Sequence, residues 1–230
     1  MIPTDIAESL LRISLILVLI SAALLLSTRN LSSLVRTYAM QSLLLVGIAL
    51  LMVVIEQKSV LILIAAITLV SKVIGIPWFI SVIQKKIRIS QDMKFCYLEP
   101  GGALMVSILL ILLTYVCFSS ILHDLYAKNS LFHLGSVIGV SLMLMGLIAI
   151  FSRQLAITKV IGYLSMENGV LLFGLCVTEL PFILEFVIMV DLIILILLTT
   201  ILTVGMDSSI DAYTSRLKEF HLWSEEEAQP

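Results

Sequence analysis

Three ionisable residues stand where charge is costly. Lys72 lies near the middle of an apolar stretch from Leu61 to Ser81, Glu167 interrupts a second within Gly162-Tyr163-Leu164-Ser165-Met166-Glu167-Asn168-Gly169, and Asp191 a third. A charged group at the centre of a bilayer costs at least about 2.5–3.5 kcal/mol by insertion scales, so such residues face a protein interior or a hydrated path rather than acyl chains. Desolvation and a neighbouring cation act on a carboxyl in opposite directions, and their balance can tune it to exchange a proton near neutral pH. Two acids and one base at similar depth therefore suit an ion relay. The plainer alternative is a static pair between Lys72 and one carboxylate that fixes helix packing, which leaves one acid over. Gln41, in Tyr38-Ala39-Met40-Gln41-Ser42, joins these as a candidate site residue; its simplest use is an interhelical hydrogen bond. Glu56 and Glu185 lie near the ends of their stretches, where side chains reach water.

The elements that must hold these groups follow from composition. Of 230 residues, 60% are hydrophobic and 13% charged, against about 45–50% and about 25% in soluble chains. A mean hydropathy of +1.14 cannot be hidden in one soluble core, which would still need a polar surface. The chain reads as an all-α polytopic membrane protein. Its long continuous apolar runs exclude the alternating pattern of a membrane barrel. Seven spans are predicted, near 9–27, 36–56, 59–84, 102–123, 131–151, 157–178 and 182–205, each close to the roughly 20 residues a crossing requires. Asp5 and Glu8 before the first run, and the bulky exit Leu24-Leu25-Leu26, speak against a cleaved signal peptide. Pro77, two residues after Gly75, should break the third span beside Lys72.

Orientation comes from the lysines and arginines. Arg29, Arg36, Lys85, Lys86, Arg88, Lys94, Arg153, Lys159, Arg216 and Lys218 fall on one side, and Arg12, Lys58 and Lys128 on the other. The positive-inside rule then predicts an outside N-terminus and a cytoplasmic C-terminus. On this plan residues 1–84 carry spans one to three, 85–101 a polar cytoplasmic loop, 102–123 the fourth span, 124–206 spans five to seven, and 207–230 a cytoplasmic tail. A net charge of −2 offers no basic field for nucleic acid. Cys96, Cys117 and Cys176 lack C-x-x-C spacing, and His123, His133 and His221 are not grouped at helical spacing, so no haem, iron–sulfur or zinc ligand set is visible.

Spans one to three and five to seven share a pattern. Thr28-Arg29-Asn30-Leu31, Met40-Gln41-Ser42 and Lys72 correspond to Ser152-Arg153-Gln154-Leu155, Met166-Glu167-Asn168 and Asp191. Both sets start on the same side, which makes them parallel repeats. The second set, with its acids Glu167 and Asp191, resembles the three-helix K subunit of respiratory complex I. The whole chain resembles component E of hydrogenase-4 and of similar group 4 membrane-bound hydrogenase and formate hydrogenlyase complexes. Tyr38 to Leu43, Leu69 to Val73 with Pro77, Gly162 to Gly169, and Asp191 carry that likeness.

The resemblance implies a non-catalytic membrane-arm subunit in a prokaryotic cytoplasmic membrane. Its neighbours would be antiporter-like subunits, a quinone-site-type subunit and a peripheral hydrogenase module. A nickel–iron centre and iron–sulfur clusters would sit on those partners, with no cofactor in this chain. Glu167 would then take the place of the first K-subunit acid and Asp191 that of the second. Lys72 and Gln41 belong to the component E extension. A structural scaffold without ion conduction and a free-standing small-solute transporter are the alternatives. The scaffold predicts static charges; the transporter predicts activity of the chain alone.

Overall fold

A computed structural model describes residues 4–87, 100–121, 130–153 and 156–177, together with 189–190, 193 and 200. Every regular element among them is helical. We number them α1 (Thr4–Ser27), α2 (Leu31–Glu56), α3 (Val60–Thr68), a π-helix (Leu69–Gly75), α4 (Ile76–Ile87), α5 (Pro100–Ile121), α6 (Ser130–Ser152) and α7 (Ala156–Val177). Five segments are long and apolar enough to cross a bilayer: Ile6–Ser27, Leu31–Glu56, Val60–Val82, Gly101–Phe118 and Leu131–Ser152. They correspond to the first five predicted spans. The sixth predicted span is the helix α7, made more polar than the five by Lys159, Glu167 and Asn168. Most of the seventh, with Asp191 and Glu185, lies outside the described residues, as do 88–99 and the tail 207–230.

One boundary and one expected break differ from the sequence reading, each for a local reason. The α2 helix begins at Leu31 rather than near 36 because Asn30 caps it: its backbone is extended, at φ −97° and ψ 128°, and its side chain accepts from the Ser32 N–H at 3.1 Å. Ser32, Ser33 and Arg36 are thus helical, within the segment Leu31–Glu56 that is apolar enough as a whole to cross a bilayer. Pro77 does not break the third span. Proline lacks an N–H and its ring crowds the carbonyl four residues back, that of Val73. The chain answers by widening into the π-helix, where the Ile76 N–H bonds the Ser71 carbonyl five residues earlier. One helical run therefore continues from Val60 to Ile87 with an expanded turn around Lys72.

The hairpins α1–α2 and α6–α7 form the centre. Helix α1 meets α6 and α2 meets α7, so like packs on like between the two halves. That is the pairing expected if the two halves are parallel repeats. The α3–π-helix run lies along α2, and α5 lies on α1 and α6. Leu15, Leu25, Leu34, Leu45 and Ile48 belong to the core and are almost wholly buried. Met105, Leu109 and Val116 on α5, and Val70, Ile74 and Trp78 on the third run, point outward. Continuous outward apolar surface on satisfied helices is what a bilayer accommodates and water does not.

Candidate functional site

Consecutive residues on an α-helix point about 100° apart, so neighbours on one helix address different partners. On α7 this sends Glu167 to the π-helix and Asn168 to both the π-helix and α2. Lys72 Nζ donates to Glu167 Oε1 at 2.6 Å and reaches Asn168 Oδ1 at 3.4 Å. Asn168 Nδ2 donates to Gln41 Oε1 at 3.2 Å and to Ser42 Oγ at 3.1 Å. Three helical runs meet in one polar cluster. Lys72, Gln41, Ser42 and Asn168 are fully buried and Glu167 retains 3% exposure. The ammonium carries only donors, so the Asn168 oxygen faces it and the amide nitrogen turns towards α2. Asn168 thereby ties the ion pair to the glutamine. Under the repeat Ser42 and Asn168 are equivalent positions, and here they touch each other across the seam between the halves.

Two further buried polar atoms adjoin these residues. Gln41 Nε2 and Thr68 Oγ1, the latter one turn before Lys72, have no hydrogen-bond partner among the described residues. Buried amides and hydroxyls are costly to leave unsatisfied and are commonly served by internal water. Other buried hydroxyls behave differently: Ser107, Ser136 and Ser141 each donate to a carbonyl four residues earlier on their own helix. Chemically, an ammonium against a carboxylate can pass one proton. An N–H bond of Lys72 breaks, an O–H bond forms on Glu167, and a charged pair becomes a neutral one with no change in net charge.

Of the four predicted site residues, the structure joins Lys72, Glu167 and Gln41; Asp191 lies outside the described residues. Asn168 and Ser42 complete the cluster, although their residue types alone do not mark them as members. Arg153 has a role that counting loop charges does not reveal. It is buried, and its guanidinium donates to the carbonyls of Leu25 at 2.6 Å and Thr28 at 3.2 Å. Those carbonyls belong to the C-terminal end of α1, where a cation also opposes the negative pole of the helix. Burial lowers the Arg153 pKa from 12.5 to about 10, which leaves it charged at neutral pH. Arg153→Gln is therefore expected to cost about 1–3 kcal/mol, because those carbonyls lose their donors. The loss should appear as a lower unfolding midpoint and faster amide exchange at the end of α1 and start of α2. Unchanged values for both would dismiss the staple.

No protein-family model, curated protein or solved structure matches this chain. Fold and site therefore define its class by themselves: a multi-pass helical membrane protein with a buried ion pair between helices. Among the described residues no cluster of histidine, cysteine and carboxylate side chains is placed to hold a metal ion.

Proposed function

We propose that this chain is a membrane-arm subunit of a complex I-like membrane-bound hydrogenase of the hydrogenase-4 or formate hydrogenlyase type. In this reading it has seven spans, an outside N-terminus and a cytoplasmic tail, in a prokaryotic cytoplasmic membrane. It catalyses no redox step. Lys72, Glu167 and Gln41, with Asp191, pass or gate protons or sodium ions while partner subunits carry the nickel–iron centre and iron–sulfur clusters. Antiporter-like and quinone-site-type subunits lie beside it in the bilayer.

The observation that carries the reading is the 2.6 Å contact between Lys72 Nζ and Glu167 Oε1, which joins a base and an acid on separate helices at membrane depth. Its extension through Asn168 to Gln41 and Ser42 supports a route longer than one pair. The decisive experiment uses the assembled complex. Glu167→Gln keeps the shape and the hydrogen-bond acceptor but cannot take a proton from Lys72. Ion movement per electron is expected to fall about 10²-fold, the low end of what a positioned acid or base contributes to proton transfer, while electron transfer from donor to acceptor persists. Asp191→Asn should act in the same direction. Full assembly with undiminished ion movement in both variants would sink the relay.

A further inference from the structure

The charge on Lys72 dictates how two amides lie, and one buried atom bears the cost. An ammonium has donors only, so the Asn168 carbonyl oxygen faces it, at 3.4 Å. Asn168 Nδ2 is thereby turned towards α2, where it donates to Gln41 Oε1 at 3.2 Å and to Ser42 Oγ at 3.1 Å. Gln41 must then present its oxygen to Asn168. Its Nε2, in a fully buried side chain, is left with no hydrogen-bond partner among the described residues. Buried donors without an acceptor are costly and uncommon.

The same side chains have a second arrangement. If both amides turn by half a rotation, Asn168 Nδ2 points at Lys72 Nζ, and Asn168 Oδ1 accepts from Gln41 Nε2 and from the Ser42 hydroxyl, which can donate as well as accept. Gln41 Nε2 gains an acceptor and Gln41 Oε1 gives up a donor, so the count of contacts is unchanged. No covalent bond is altered. An ammonium forbids this arrangement, since it would face an N–H with no lone pair to offer. A neutral amine has one lone pair and accepts a hydrogen bond more strongly than it donates one. Two packings of equal contact number, separated by one charge, make a bistable element.

We propose that Asn168 and Gln41 turn over together when Lys72 passes its proton to Glu167, and that Asn168 then guards the amine against the proton's return. The proposal rests on the transfer described above. The single lone pair of the amine is the one place on Lys72 to which that proton can go back. With Asn168 Nδ2 donating to it, the Glu167 proton has to leave by another neighbour of the carboxyl. Asn168 is thus a positioning residue that gives the transfer a direction, and Gln41 and Ser42 hold it from the other half of the chain.

The test uses the isotopically labelled full chain in lipid vesicles and solid-state NMR. Magnetisation passed from the Asn168 amide protons to the Gln41 side-chain carbonyl carbon reports the arrangement seen here. Passage from the Gln41 amide protons to the Asn168 side-chain carbonyl carbon reports the reverse. Besides Lys72, the titratable groups about the cluster are Glu167 on α7 and the buried Tyr38, one turn before Gln41 on α2; Glu167→Gln and Tyr38→Phe remove both. In that background, as base turns the Lys72 Nζ resonance from ammonium to amine, the first contact should be lost and the second gained at the same midpoint. A first contact that persists on the amine would overturn the switch. Should Nζ stay an ammonium throughout, Lys72→Met with Glu167→Leu decides instead: no charge then selects an arrangement, so both contacts are expected, and the first alone refutes. Because these contacts are read without partner subunits, a switch that fails leaves any Glu167→Gln loss of ion movement standing, and a relay that fails leaves the exchange of contacts standing.

Discussion

Lys72→Met alone is expected to destabilise the chain by about 3–5 kcal/mol, whereas Lys72→Met combined with Glu167→Leu should return it to within about 1 kcal/mol of the parent or above it. The asymmetry follows from burial. Lys72 is fully buried and Glu167 almost so, and methionine leaves the carboxylate without the ammonium that sits 2.6 Å from it. The acid must then stay charged in a dry interior or take up a proton, and either change is unfavourable relative to the pair. Removing both ends lets apolar side chains of similar size fill the site. Reversible unfolding in detergent or lipid measures the four corners of the cycle. A Lys72→Met variant as stable as the parent would show that the pair contributes nothing to the fold. The same double variant separates relay from scaffold in the assembled complex: a stable arm that no longer moves ions argues for the relay, and one that still does argues for the scaffold.

Why the ion pair is visible in the sequence, and its setting is not, has a physical basis. Lys72 and Glu167 contrast with long apolar surroundings, and that contrast survives any uncertainty over helix ends. Their pairing stays open in the sequence because Asp191 offers a second acid on another span, and no pattern of residue types chooses between them. Ser42 and Asn168 carry no comparable signal. Small polar side chains inside apolar helices usually bond their own backbone, as Ser107 and Ser141 do, and only the apposition of α2 and α7 makes Ser42 an exception. Arg153 sits in the connection that also places Lys159 nearby, yet Arg153 is buried and Lys159 exposed. The difference arises when the end of α1 is brought against the end of α6. At Pro77 the missing N–H and crowded carbonyl are foreseeable, but a break and a widened turn both relieve them. Lys72 lies within that widened turn, with its side chain directed at α7.

Gly169 determines whether the acid can be where it is. A Cβ built there would lie 2.6 Å from the Met143 nitrogen and 2.7 Å from the Gly139 carbonyl oxygen, and one on Gly146 would lie 2.6 Å from the Met166 Cα. These are backbone atoms of the facing helix, so no side-chain rotation relieves the clash. The helices α6 and α7 must separate, as close packing through small residues in membranes would predict. Gly169→Ala is therefore expected to cost several kcal/mol, above the roughly 1–3 of ordinary overpacking because only backbone can yield. It should also loosen the Lys72–Glu167 contact, since Glu167 is two residues away on the displaced helix. Gly47 supplies the control: a Cβ there meets nothing within 4 Å, so Gly47→Ala should stabilise by up to about 1 kcal/mol through helix propensity alone. Opposite signs at two mid-helix glycines would locate the constraint in the α6–α7 contact. If Gly169→Ala were as harmless as Gly47→Ala, the two helices would not be held at the separation that brings Glu167 to Lys72, and the geometry on which the proposed transfer rests would fail with it.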